Sequence, residues 1–197
     1  MPVTELVRWY ATDAFLSDLP STFGPMVKYV SSAEGCLRIY TGVEVEDNTS
    51  FWMVVVWQSH EHHQAMMNRP DYPDMVARLK PFFRDGQLKM DHVEFNGDSD
   101  NAFGSPITLL SFMQVRTGRT VEELERRLQA TCSRGSSTRW GQTHEDARMV
   151  IGITGCTDSK QVSDATNMGK DNNPFPGLNE VADIRSLSVK FVKEIAA

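Results

Sequence analysis

Cysteine is scarce in this chain and has no pairing pattern. Cys36, Cys132 and Cys156 stand far apart without CxxC spacing. That excludes a disulfide framework and a multi-cysteine zinc cage, and makes a reducing, cytoplasmic setting the simpler expectation. Positive charge is also short, leaving a net charge of −6. A surface that grips phosphates needs a basic field, so no nucleic-acid partner is expected, and binding to an anionic membrane gains no support. No apolar run approaches the ~20 residues of a membrane span. Met1–Tyr10 lacks a basic stretch followed by a long apolar one, so no signal peptide is expected. Also missing are GxGxxG after a strand, GxxxxGK[ST], GxSxG and HExxH. Nucleotide binding, a nucleophile elbow and a zincin site therefore have no support, and no metal is expected.

What is present is an ordinary apolar content, 40% of 197 residues, enough to bury a core in one domain or two small ones. Val3–Tyr10 alternates as a strand. Phe15, Leu16 and Leu19, then Met26, Val27 and Val30, recur at helical spacing, broken by Pro20, Gly24 and Pro25. Cys36–Val45 is β-type, and the apolar run Phe51–Trp57 predicts a strand buried on both faces. Ser59 stands at an N-cap position with Glu61 in the first turn, opening a helix to about Asn68. After the Arg69–Pro73 turn, Met75, Val76, Leu79, Phe82 and Phe83 share a helical face. Leu88–Phe95 closes a β-α-β-β-α-β unit, the ferredoxin-like order.

The pattern then restarts. Residues 1–96 are expected to form one half, 97–105 a polar linker and 106–197 a second half. In the second half Ile107–Val115, Ser136–Trp140, Met149–Thr154 and Ile184–Val192 read as strands. Thr120 with Glu123 reads as a capping box, Asp158–Met168 as a weaker helix and Asp171–Gly177 as a Pro/Asn loop. Arg38–Gly42 resembles Arg139-Trp140-Gly141, Glu46-Asp47 resembles Glu145-Asp146, and Met53-Val54-Val55 resembles Met149-Val150-Ile151. Their common order points to an internal duplication.

The run Trp57-x-Ser59-x-Glu61-x-His63, the turn Arg69-Pro70-Asp71-Tyr72-Pro73 and the strand His92-Val93-Glu94-Phe95 resemble the dimeric α+β-barrel superfamily, closest to antibiotic-biosynthesis monooxygenase-like domains. The resemblance is good over residues 50–95, moderate before them and only a pattern in the second half, which has Ile153-Thr-Gly-Cys156-Thr-Asp158 instead. It implies an α+β fold in which tandem ferredoxin-like halves pack into one barrel in cis. It also implies an enzyme acting on a hydrophobic, oxygenated small molecule of polyketide type, without a cofactor. Members of the superfamily include phenol monooxygenases, cyclases, decarboxylases, isomerases and heme-handling enzymes. The alternative is a non-catalytic binding or structural barrel, and a homodimer is compatible with either.

Three of five histidines, His60, His62 and His63, fall within four residues. A proton-sharing or metal role is open to them, against a packing role for His63, the family's helix-capping position. No third ligand spacing is legible. His92 lies where some cyclases of the superfamily carry a catalytic histidine. With it as base, Tyr72 could stabilise an enolate oxygen, although any of the helix histidines could serve instead. Arg38 and Tyr40, echoed by Arg139 and Trp140, could hold an anionic group, against rim salt bridges. Trp9 and Trp57 could shape an aromatic pocket, against plain core packing. Cys156 is expected to begin a helix, where a thiolate is favoured.

Overall fold

The computed structural model describes residues 1–131, 137–166 and 177–196. Cys132, the start of the expected strand at Ser136, the end of the helix expected to reach Met168 and most of the Asp171–Gly177 loop lie outside them. The chain divides into one unit of Met1–His92 with Val192–Ala197, and a second of Val93–Phe191.

In the first unit β1 (Val3–Tyr10) leads through α1 (Asp13–Ser17) and α2 (Leu19–Ser31) to β2 (Cys36–Glu44) and β3 (Ser50–Trp57). Then come α3 (His60–Met67), α4 (Tyr72–Leu79) and β4 (Lys89–Val93). The strands lie in the order β4-β1-β3-β2, the ferredoxin-like arrangement. Thr12 and Asp18 cap α1 and α2 by accepting from Phe15 and Ser21 amides. All eight residues of β3 are buried, as its unbroken apolar run requires. Antiparallel pairing sets Val3 opposite Trp57 and Arg38 opposite Val56. Because side chains alternate, Val3, Val7 and Trp9 share the face carrying Ile39, Phe51, Met53, Val55 and Trp57, all in the core beneath the helices. Trp9, Phe15, Phe23 and Phe51 fill its centre; Trp9 and Phe51 lie 4.8 Å apart and Phe15 and Phe51 5.0 Å. Burying each such ring contributes roughly 2–3 kcal/mol.

The second unit repeats the order with β5 (Ile107–Val115), α6 (Val121–Thr131), β6 (Arg139–Gln142), β7 (Met149–Cys156), α7 (Ser159–Thr166) and β8 (Ala182–Ala196). Its sheet runs β8-β5-β7-β6. Leu124 and Leu128 of α6 pack on Met113, Trp140 and Val150. Gly141 is required where β6 passes the segment after β4, because a Cβ there would stand 2.3 Å from the Glu94 carbonyl oxygen.

The stretch expected as a polar linker contains a short helix, α5 (Asp100–Phe103), with Phe103 fully buried. Its apolar pair Ala102-Phe103 is too short to show a period among polar neighbours. Thr120 Oγ1 accepts from the Glu123 amide, but the Glu123 carboxylate turns to Arg119 and Arg127 instead of closing the capping box. Cys156 ends β7 and does not begin a helix. Burial, then the nearby Asp158 charge, pushes its thiol up, away from thiolate chemistry. No helix among the described residues is long and apolar enough to cross a membrane.

Candidate functional site

Glu5 is the residue around which the first unit's polar chemistry gathers. On β1 it stands between Val3 and Val7, on the face buried under the helices, and is 5% exposed. An ionised carboxylate there loses its hydration, and burial drives the Glu5 pKa from 4.5 to about 7. The opposing influence is a hydrogen bond of 2.8 Å donated by Trp57 Nε1 to Oε2. Trp57 reaches it because β1 and β3 pair side by side at this end.

The indole of Trp57 also stacks on His63, centroids 5.2 Å apart and planes 25° from parallel. His63 is fully buried on α3. Its Nε2 lies 3.5 Å from Glu5 Oε2, an ion-pair distance longer than a hydrogen bond. Its Nδ1 lies 2.8 Å from Nε2 of His92, which is 5% exposed on β4. His60, one turn before His63, sets its ring edge to His92 at 4.9 Å. Carboxyl, imidazole and imidazole thus form a buried line across β1, α3 and β4. Two further acids border it. Tyr72, half-buried as the first residue of α4, has its phenol pushed up by burial and then by the Glu5 charge. Cys36, at the start of β2, has its thiol pushed up to about 11 by the same two causes. Both stay protonated at neutral pH and are donors rather than bases. Among the described residues, no three His, Cys, Asp or Glu side chains converge as metal ligands.

His92, His63 and Trp57 are therefore brought together with Glu5, and Tyr72 lies near enough to feel the Glu5 charge. His62 is placed apart: its Nδ1 lies 2.9 Å from Ser59 Oγ. Its ring covers Gly35, where a Cβ would meet it at 2.3 Å and where φ is 79°. Ser59 holds the N-cap position of α3 but makes no side-chain cap bond. Arg38 and Tyr40 occupy the opposite sheet face, by the register Arg38–Val56 and Tyr40–Val54, with Lys193 5.7 Å from the Tyr40 ring. Trp9 sits at the other end of β1 in the aromatic core, its buried indole N–H without a hydrogen-bond partner among the described residues. Arg139 and Trp140 belong to the second unit. The Arg139 guanidinium group lies against Gly97, and the Trp140 amide donates to Asn96 Oδ1.

A cleft of about 500 Å³, lined by Leu19, Phe23, Val27, Thr41, Phe51 and Glu194, opens beside α2. Phe51 and Trp57 stand six residues apart on β3, about 20 Å. The cleft is thus distinct from the histidine line. Sequence reading missed Glu5, although one signal marked it: in Val3-x-Glu5-x-Val7-x-Trp9, a carboxylate interrupts an otherwise apolar strand face.

Residues 2–78 match the family model described as antibiotic biosynthesis monooxygenase. No curated protein matches the sequence significantly. Among solved structures, the chain resembles an anthrone oxidase-like protein with a TM-score of 0.67 at 14% identity, covering 100% of this chain and 96% of that one. It resembles a provisionally assigned monooxygenase from Fusobacterium nucleatum with a TM-score of 0.65 at 10% identity, covering 100% and 96%. Another provisionally assigned monooxygenase, from Lactobacillus acidophilus NCFM, gives a TM-score of 0.62 at 11% identity, covering 98% and 94%. Identities this low speak to the fold alone, and the coverage extends that likeness to both units. Residues 2–78 thus resemble an antibiotic-biosynthesis-monooxygenase-like domain, and the fold is that of tandem ferredoxin-like α+β units.

Proposed function

We propose that the first unit is the catalytic half of an enzyme that removes a proton from a small, hydrophobic, oxygenated molecule, with His92 as the base. The buried His63–His92 contact of 2.8 Å carries this reading. Imidazole is the side chain whose ordinary titration lies near neutral pH, and here a second imidazole fixes one ring nitrogen of His92. Tyr72, held protonated beside the line, is suited to hydrogen-bond the enolate or phenolate oxygen that deprotonation creates. The resulting carbanion is the common starting point for ring closure, isomerisation or reaction with dioxygen, so no resident cofactor is invoked. The matched family's description and the anthrone oxidase-like relative favour dioxygen as co-substrate. For an anthrone, the methylene carbon would take one oxygen atom as a carbonyl, and its two hydrogens would leave with the other as water.

Oxygen uptake and product mass, measured with anthrone and polyhydroxylated phenols, test the reading. The His92→Gln variant is expected to lose at least 100-fold in kcat, within the range of general-base catalysis. An unchanged rate would remove His92 from the chemistry. Binding of the probes without turnover by the wild-type chain would favour a non-catalytic carrier.

A further inference from the structure

We infer that Glu5 is the final resting place of the proton that His92 removes, reached through His63. The inference rests on His92 being the base and concerns where that proton goes. In the resting state Glu5 is a carboxylate, and His63 and His92 each carry hydrogen on Nε2. The His92 Nε2–H then donates to bare Nδ1 of His63, and Nδ1 of His92 is the basic atom. When that atom takes a proton from substrate, the Nε2 proton of His92 passes to Nδ1 of His63. The Nε2 proton of His63 passes in turn to Oε2 of Glu5. Three bonds to hydrogen break, one in the substrate and one in each imidazole, and three form, one in each imidazole and one on the carboxyl. Both rings end neutral with exchanged tautomers. One negative charge has moved from Glu5 to the substrate, and no imidazolium is created in the core.

The packing suits this sequence of transfers. The His63–His92 distance is already a hydrogen bond, and the Glu5–His63 gap of 3.5 Å needs to close by about 0.5 Å for transfer. Trp57 holds both ends of that gap, donating to Glu5 and stacking on His63. Among the described residues, the groups acting on Glu5 come from four elements: Cys36 on β2, Trp57 on β3, His63 on α3 and Tyr72 on α4. No lysine or arginine is among them. A lone carboxylate so enclosed is an effective proton acceptor near neutral pH, where a solvated one is not.

The test follows the resting protein first. In ¹⁵N-histidine, ¹³C-glutamate labelled wild-type protein, titration from pH 5 to 9 is expected to show one carboxyl titrating near pH 7. The protonated nitrogens of two histidines should switch in the same step, and Glu5→Gln should abolish the switch. A carboxyl that titrates while both tautomers stay fixed, or a switch that survives in Glu5→Gln, would overturn the relay. With a turned-over substrate, the wild-type rate should rise with pH through about 7 as Glu5 ionises. Glu5→Gln should lose that limb and at least tenfold in kcat, with KM little changed. If His92→Gln abolishes turnover while Glu5→Gln keeps the wild-type profile, the relay fails and the base stands. If His92→Gln is fully active, the base reading fails, and coupled titration in the resting protein no longer supports Glu5 as a catalytic acceptor.

Discussion

Where the first unit carries Trp57, His63 and Glu5, the second carries Cys156, Val162 and Leu109. The correspondence follows from matched lengths. β3 and β7 are both eight residues, and so are α3 and α7, each helix beginning three residues after its strand. Val3 opposes Trp57 as Ile107 opposes Cys156, which sets Leu109 in the place of Glu5. Gly42 pairs with Trp52 and Gly141 with Ile151, a step of 99 residues in both strands. The same backbone plan thus holds a buried carboxyl–imidazole–imidazole line in one copy and apolar or inert side chains in the other. A buried carboxyl is costly, and its presence at this place in one copy alone accords with the proposed relay.

The largest test of that contrast is to make the first unit resemble the second. His63→Val removes the centre of the line while leaving the helix. It should lower kcat by 10²–10⁴-fold, the worth of positioned acid–base chemistry. A rate within threefold of wild type would reduce His63 to packing. The reciprocal change, Leu109→Glu, places a carboxyl at a position 4% exposed with no Trp57 or His63 equivalent. It should destabilise the chain by roughly 3 kcal/mol or more, read by chemical denaturation at pH 8. A neutral result would mean that the second unit tolerates the charge and that the two units differ less than their side chains imply.

A smaller effect separates the cost of Glu5 from its use. A carboxyl raised from 4.5 to about 7 in the folded protein favours folding fully below pH 4.5. That contribution is lost as pH rises through about 7, because the unfolded chain ionises more readily. The shift corresponds to about 3 kcal/mol at its limit. The unfolding free energy of wild type relative to Glu5→Gln should therefore fall by about that amount between pH 4.5 and pH 8. A difference that stays flat with pH would show that Glu5 titrates normally in the folded protein.

Element order was legible in the sequence because strand and helix periods persist over many residues. Phe51–Trp57 and the Ser59–His63 helix start need only local pattern to be read. The match of Met53 with Met149 was misleading: by strand ends Met53 falls against Gly152, and a three-residue slide exchanges sheet faces. His63, His92, Trp57 and Tyr72 were recognisable singly from residue type and family position. Their convergence was not, since side-chain contacts that no spacing encodes join residues on β1, β3, α3 and β4, and Tyr72 on α4 is tied to them only through the Glu5 charge. Glu5 was overlooked because its strand reads as an apolar alternation, and the exception within that alternation is where the proposed relay ends.

The least perturbing change tests the faces of the first unit's sheet. Arg38 and Tyr40 invite an anion-holding role by residue type, but register sets them opposite Val56 and Val54, on the face away from Glu5 and Trp57. A guanidinium group across the sheet is separated from the reacting proton by backbone, and what remains is a field weakened by distance and screening. Arg38→Ala should leave kcat and KM within twofold, whereas Tyr72→Phe, on the site's own side, should lower kcat by tenfold or more. If Arg38→Ala instead raised KM tenfold with kcat unchanged, it would have removed binding common to ground and transition states. Substrate would then extend onto the face that carries Tyr40, and the separation of that face from the histidine line would fail.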